Sequence, residues 1–179
     1  WDTIQETIHL IHEIKPLSII FYILDIFPGT ELYRDFKART GATDDIWLKK
    51  VEDIMYWETD PDLSREQVLA FGETLRAGFY ENLPRFAKEL ELVDREELYP
   101  HHADFLSRLA MTFSHGDYAG IRSPVPALET ARILYEKSLH LGPGHRAFWG
   151  LALTLQFQDA WEAAVHTLEQ GLVHFPHSP

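Results

Sequence analysis

The last third of the chain repeats itself, and no other feature restricts the fold as tightly. Phe148-x2-Leu151-Ala152-x2-Leu155 matches Leu106-x2-Leu109-Ala110-x2-Phe113. Ala164-x3-Leu168-x2-Gly171-x4-Pro176 likewise matches Ala131-x3-Tyr135-x2-Ser138-x4-Pro143, and the two prolines lie 33 residues apart. Apolar residues at steps of three and four are the period of a helix with one buried face. A small residue at the same place in each helix lets two backbones approach while large apolar side chains fill the flanks. The later unit runs without a gap, whereas Phe113 and Ala131 are 18 residues apart where Leu155 and Ala164 are 9. The extra residues around Tyr118–Pro126 read as a longer turn between the two helices of the earlier unit. Val68-x2-Phe71-Gly72-x2-Leu75 is a third, weaker copy.

A two-helix unit of this period, closed by a proline, resembles the tetratricopeptide repeat. The resemblance implies a concave groove lined by the first helix of each unit, where a protein or peptide is held. Transferred by position, the groove residues are Arg146, Trp149, Leu153 and Gln156 in the later unit, and Asp104, Ser107, Met111 and Ser114 in the earlier one. Of the adjacent aromatics Phe148 and Trp149, one can face the core while the other faces outward. Tryptophan and arginine are the residue types that most often anchor interfaces.

The N-terminal part reads differently. Ile4, Ile8, Ile11 and Ile14 mark a helix over Thr3–Ile14, with Asp2 or Thr3 as its cap, ended by Lys15-Pro16. Leu17–Phe27 is apolar, β-branched and aromatic, which predicts a strand covered on both faces, as in a parallel sheet. Pro28-Gly29-Thr30 turns the chain into a helix over Glu31–Arg39. A short helix is expected at Asp44–Val51, then irregular chain over Glu52–Pro61, with Val51–Trp57 the one weak candidate for a second strand. Ser64 with Gln67 and Asp94 with Glu97 form capping boxes, and Pro84 opens a short helix. Beyond Asp94 the chain reads as helical apart from a loop at Gly116–Pro126.

The helix DTIQETIHLIHEIKP, the apolar strand and the string Pro28-Gly29-Thr30-Glu31-Leu32-Tyr33 together resemble the last helix–strand–helix of radical SAM enzymes, particularly those with a cobalamin-binding domain. Asp45-Ile46-Trp47 and the helix Leu63-Ser64 through Phe79-Tyr80 follow in the order such proteins show. The resemblance covers about residues 1–90 and implies a parent enzyme in which a 4Fe-4S cluster splits S-adenosylmethionine. Leu24, Asp25 and Phe27, at the end of the strand, would then stand nearest its adenine. With no cysteine in the chain, the cluster-holding CxxxCxxC loop would lie upstream of Trp1. The expected fold is mainly α: an α/β barrel remnant over 1–40, a mostly helical linking segment over 41–92, and tetratricopeptide-like repeats over 93–179.

Composition narrows the function classes. The absence of cysteine removes disulfides, thiolate metal sites and thiol nucleophiles from these residues. A net charge of −12 without a basic patch argues against nucleic acid. The longest apolar run, broken by Ser18 and Asp25, is too short for a membrane span, and no signal-peptide order precedes it. A cytoplasmic protein is expected. Ten histidines include His9 with His12 and His101-His102 near Asp104, but none of these spacings gathers three or four ligands. The function expected is a non-catalytic C-terminal piece of the parent enzyme, docking on the parent's own upstream domains or on another protein. The alternative is a stand-alone helical adaptor. Because an exposed apolar strand recruits other chains, Leu17–Asp25 is also expected to pair two copies of this chain.

Overall fold

A computed structural model describes residues 1–48, 54–55, 60, 62–121 and 124–177. It is mainly helical, and it divides between Phe79 and Tyr80 into two compact units. That division falls inside the 41–92 span expected to act as a linking segment.

The first unit contains α1 (Asp2–Ile14), β1 (Asp25–Ile26), α2 (Glu31–Thr40), a 3₁₀ turn at Asp44–Leu48, β2 (Ile54–Met55) and most of α3 (Arg65–Tyr80). Trp1 precedes α1 without a side-chain cap, so Asp2 and Thr3 both lie inside the helix. Its end is fixed by Lys15, which turns left-handed (φ 51°) and donates its N–H to Ile11 O at 2.9 Å. α1 rests on α3 where Gly78 leaves room: a Cβ there would lie 3.3 Å from Ile8 Cγ1. One end of the contact is closed by Trp1, edge-on to Phe71 at 4.9 Å between centroids.

The Pro28-Gly29-Thr30 string turns the chain by a specific device. Gly29 sits at φ +88°, a conformation that L side chains rarely adopt. Thr30 then caps α2, its Oγ1 accepting from Tyr33 N at 3.2 Å and donating to Phe27 O at 2.7 Å. The capping box at α3 is also present, with Ser64 N donating to Gln67 Oε1 (2.7 Å) and Gln67 N to Ser64 Oγ (3.2 Å).

The expected strand over Leu17–Phe27 is corrected. Among the described residues only Asp25–Ile26 pairs, antiparallel to Ile54–Met55, with Ile26 opposite Ile54. Ile26 and Ile54 are buried with Tyr33 and Phe36, and Leu32, Ala42, Ile46 and Trp47 pack against that small cluster. Residues 17–24 run without regular structure, their side chains alternating between half-buried and exposed as far as Tyr22. Ile20, Tyr22 (86% exposed) and Leu24 face outward, so this apolar run is covered on one side and not on both. The short helix expected over Asp44–Val51 is a 3₁₀ turn as far as Leu48. Lys49–Asp53 and Tyr56–Thr59, including the ends of the weak strand candidate, lie outside the described residues.

The second unit holds α4 (Leu83–Lys88), α5 (Tyr99–Ser114), α6 (Asp117–Ile121), α7 (Pro124–Leu141), α8 (His145–Phe157) and α9 (Trp161–His174). α5 packs along α7, α7 against α8 and α8 against α9, while α4 lies on α7. Lys137 of α7 donates to the terminal Lys88 carbonyl of α4 at 2.6 Å. The repeated small residues Ala110, Ala131, Ala152 and Ala164 are all buried. Ser138, in the repeat position of Gly171, donates to Ala103 O at 2.7 Å, holding α7 close to α5.

Two local readings change here. The second capping box is not made: Asp94 Oδ1 accepts from the Tyr99 hydroxyl at 2.6 Å, and Glu97 pairs with Arg95. The loop expected over Gly116–Pro126 contains α6, and α7 already starts at Pro124, where a proline costs no helical hydrogen bond. Tyr118 is what folds this insert down. It is buried, 4.9 Å from the Phe113 ring, with its hydroxyl on Tyr80 O at 2.9 Å.

Candidate functional site

α8 sorts its two adjacent aromatics as neighbours on a helix must. Phe148 is 8% exposed and faces α9, where Gly171 admits it: a Cβ on Gly171 would lie 3.1 Å from Phe148 Cβ. Trp149, about 100° further round, is 53% exposed.

Arg146, one turn before Trp149, reaches across to α5. Its Nη1 donates to Asp104 Oδ1 at 2.5 Å and to Ser107 Oγ at 3.3 Å. Asp104 also accepts from Arg108 Nε at 2.7 Å. These bonds, Arg146's first and Arg108's second, hold the Asp104 carboxyl below the usual carboxylate range. Beside them lies an open cleft of about 670 Å³, walled by Asp104, Ser107, Arg146 and Trp149 and floored by Ser138 and the Gly142–Gly144 turn.

The expected groove residues divide between two places. Asp104, Ser107, Arg146 and Trp149 come together at this cleft. Leu153 and Gln156 do not reach it. They line a smaller groove of about 210 Å³ between α8 and α9, with Trp149, Trp161 and Val165. Ser114 is corrected outright: it is buried, bonded to His115 Nδ1 (2.7 Å) and within 3.2 Å of the Tyr135 hydroxyl. Ten residues carry Ser114 about 15 Å along α5 from Asp104, and Gln156 as far along α8 from Arg146, beyond the reach of the cleft. Met111 is half-buried and lines neither opening.

The positional transfer passes over several contributors. Ser138 and the Gly142-Pro143-Gly144 turn line the cleft, and Arg108 holds Asp104 through its hydrogen bond. On α9, Trp161, Val165, Leu168 and Leu172 are exposed along one side. Their 4-3-4 spacing is in the sequence and marks a continuous apolar stripe.

In the first unit Leu24 and Phe27 are about half exposed. Asp25 is half-buried, and its Oδ1 is closed off from water with no hydrogen-bond partner among the described residues. The three side chains do not converge on one cavity. No group of three or more His, Asp or Glu able to hold a metal occurs among the described residues, and no described helix is long and apolar enough to cross a membrane.

Comparison with protein-family models, curated proteins and solved structures gives no match to this chain.

Proposed function

We propose that residues 93–179 are a tetratricopeptide-like docking module whose cleft between α5 and α8 takes a segment of another protein or of the parent's own upstream domains. The observation that carries this reading is Trp149: half exposed, it borders the Asp104–Arg146 cleft on one side and the α8–α9 groove on the other. Its neighbour Arg146 is oriented in advance by Asp104, so little conformational freedom is lost when a partner arrives. An aromatic anchor beside an arginine, rimmed by polar groups, is the composition of an interface centre. Buried alanines and Gly150 at the helix crossings support the two-helix repeat.

The chain as a whole reads as the C-terminal part of a radical SAM enzyme of the cobalamin-binding type. Supporting this are the Pro28–Tyr33 turn, built around Gly29 and Thr30, and the outward apolar flank of residues 17–24, which a barrel strand would cover. In that reading the 4Fe-4S cluster, S-adenosylmethionine and cobalamin belong to the parent, and this chain contributes Leu24, Asp25 and Phe27 singly, at the end of the apolar segment. Asp25 Oδ1, buried and without a donor among the described residues, suits a position beside a group that brings its own N–H or hydroxyl.

Peptide display tests the docking. Selection on the 179-residue chain should enrich sequences whose binding is lost in Trp149→Ala and in Arg146→Ala. Enriched peptides indifferent to both would refute the cleft. The coding sequence before Trp1 tests the parent: a CxxxCxxC motif is expected, and its absence from the full reading frame would refute that part alone.

A further inference from the structure

The first unit contains a cavity that the docking reading does not use and that shares Leu24 with the radical SAM reading. Ile4 of α1, Phe21 and Leu24 of the extended segment, and Val68, Phe71 and Leu75 of α3 enclose about 260 Å³ of predominantly apolar space, open at one side. That is just under the roughly 300–1,000 Å³ typical of drug-sized ligands.

Among the described residues, Arg76 is the one charged residue that lines it. Gly72 stands one turn earlier on α3, and a Cβ there would lie 3.2 Å from Arg76 Nη1. The guanidinium therefore folds back along the helix, over Gly72, to the cavity. Arg76 makes no hydrogen bond or ion pair among the described residues. By contrast Arg85, Arg95, Arg108, Arg132 and Arg146 each pair with a carboxylate. An apolar hollow with one uncommitted guanidinium is complementary to a molecule with a hydrocarbon body and a single negative charge.

We propose that this cavity binds a small amphipathic carboxylate, a medium-chain alkanoate or an aryl-alkanoate. The hydrocarbon lies among Ile4, Phe21, Leu24 and Leu75, and the carboxylate accepts from Arg76, whose planar fork matches it in geometry. A phosphate dianion fits less well, because one exposed arginine over an apolar lining cannot replace its hydration.

The test is displacement of 1-anilinonaphthalene-8-sulfonate from the full 179-residue chain, using hexanoate, octanoate and decanoate below their micelle concentrations and octylammonium as the cationic counterpart. Affinity should rise about fourfold per added methylene until the cavity is full. Octanoate should bind at least tenfold tighter than octylammonium, although a net charge of −12 favours the cation everywhere else. Arg76→Gln, at an exposed side chain, should remove that preference with the circular dichroism spectrum unchanged. Leu75→Trp should fill the hollow and abolish the chain-length dependence. Equal binding of octanoate and octylammonium, Arg76→Gln without effect, or no saturable binding would overturn the assignment.

Discussion

Gly150 of α8 lies directly beneath the phenol ring of Tyr135 on α7. A Cβ at Gly150 would stand 2.5 Å from Tyr135 Cε1 and closer still to Cζ and the hydroxyl. Tyr135 is fully buried and cannot swing aside. Alanine is the better helix former by about 0.8–1 kcal/mol, but overpacking a closed core costs roughly 1–3 kcal/mol and outweighs it. Gly150→Ala should therefore destabilise the second unit. Gly120→Ala, with open space around its Cβ, should be neutral or mildly stabilising. Urea unfolding of the two variants checks this; equal stability would mean that α7 and α8 do not meet at Gly150.

Asp104 links α5 to α8 in a pH-dependent way. Its folded-state pKa is lowered, first by the Arg146 hydrogen bond and next by Arg108's. A carboxylate shifted this way contributes stability that is complete above its unfolded pKa and is lost as pH falls through the folded value. The gap in thermal midpoint between the wild type and Asp104→Asn should thus be constant between about pH 5 and pH 8. It should close only below the ordinary carboxylate range. Calorimetry across that range checks it, and a gap that already closes near neutrality would contradict the assignment.

Tyr33 ties the small first unit together. Its hydroxyl donates to Asp44 Oδ1 at 2.7 Å and accepts from Trp47 Nε1 at 2.9 Å, and Lys37 Nζ reaches the same Asp44 oxygen at 2.9 Å. The Tyr33 and Lys37 hydrogen bonds lower the Asp44 pKa. Tyr33→Phe should shift the Trp47 indole N–H resonance and lower the thermal midpoint. An unmoved Trp47 signal would show that the two rings are not bonded.

The outward face of residues 17–24 should show itself in solution. Ile20, Tyr22 and Leu24 present unpaired apolar chain, the condition under which strands recruit copies of themselves. We expect light scattering to show concentration-dependent dimers, weakened by Leu24→Lys. A monomer at all concentrations, indifferent to the lysine, would contradict pairing through Leu17–Asp25.

What the sequence made legible follows from how local each feature is. Helices α5, α7, α8 and α9 could be read because apolar period and small-residue position are set within one turn or two. The Thr30 and Ser64 caps could be read because their partners lie three residues away. The strand over Leu17–Phe27 was misread because β-pairing depends on distant chain: the residues suit a covered strand, and among the described residues only Ile54–Met55 pairs with it. α6 was missed because Tyr118, which folds the insert down, gains its hold from Phe113 and Tyr80. At the cleft, Arg146 and Asp104 were legible by position. Ser114 and Gln156 were not, because ten residues carry them about 15 Å along their helices, beyond the cleft.

The central claim is that the face around Asp104, Arg146 and Trp149 docks a protein segment. Indole N–H resonances of the chain's five tryptophans, followed while a display-selected peptide is added, test it most directly. The account predicts that Trp149 shifts first and furthest, that Trp1 and Trp47 stay in place, and that Arg146→Ala abolishes the change. Shifts confined to Trp1 or Trp47, with Trp149 unmoved at saturation, would contradict it.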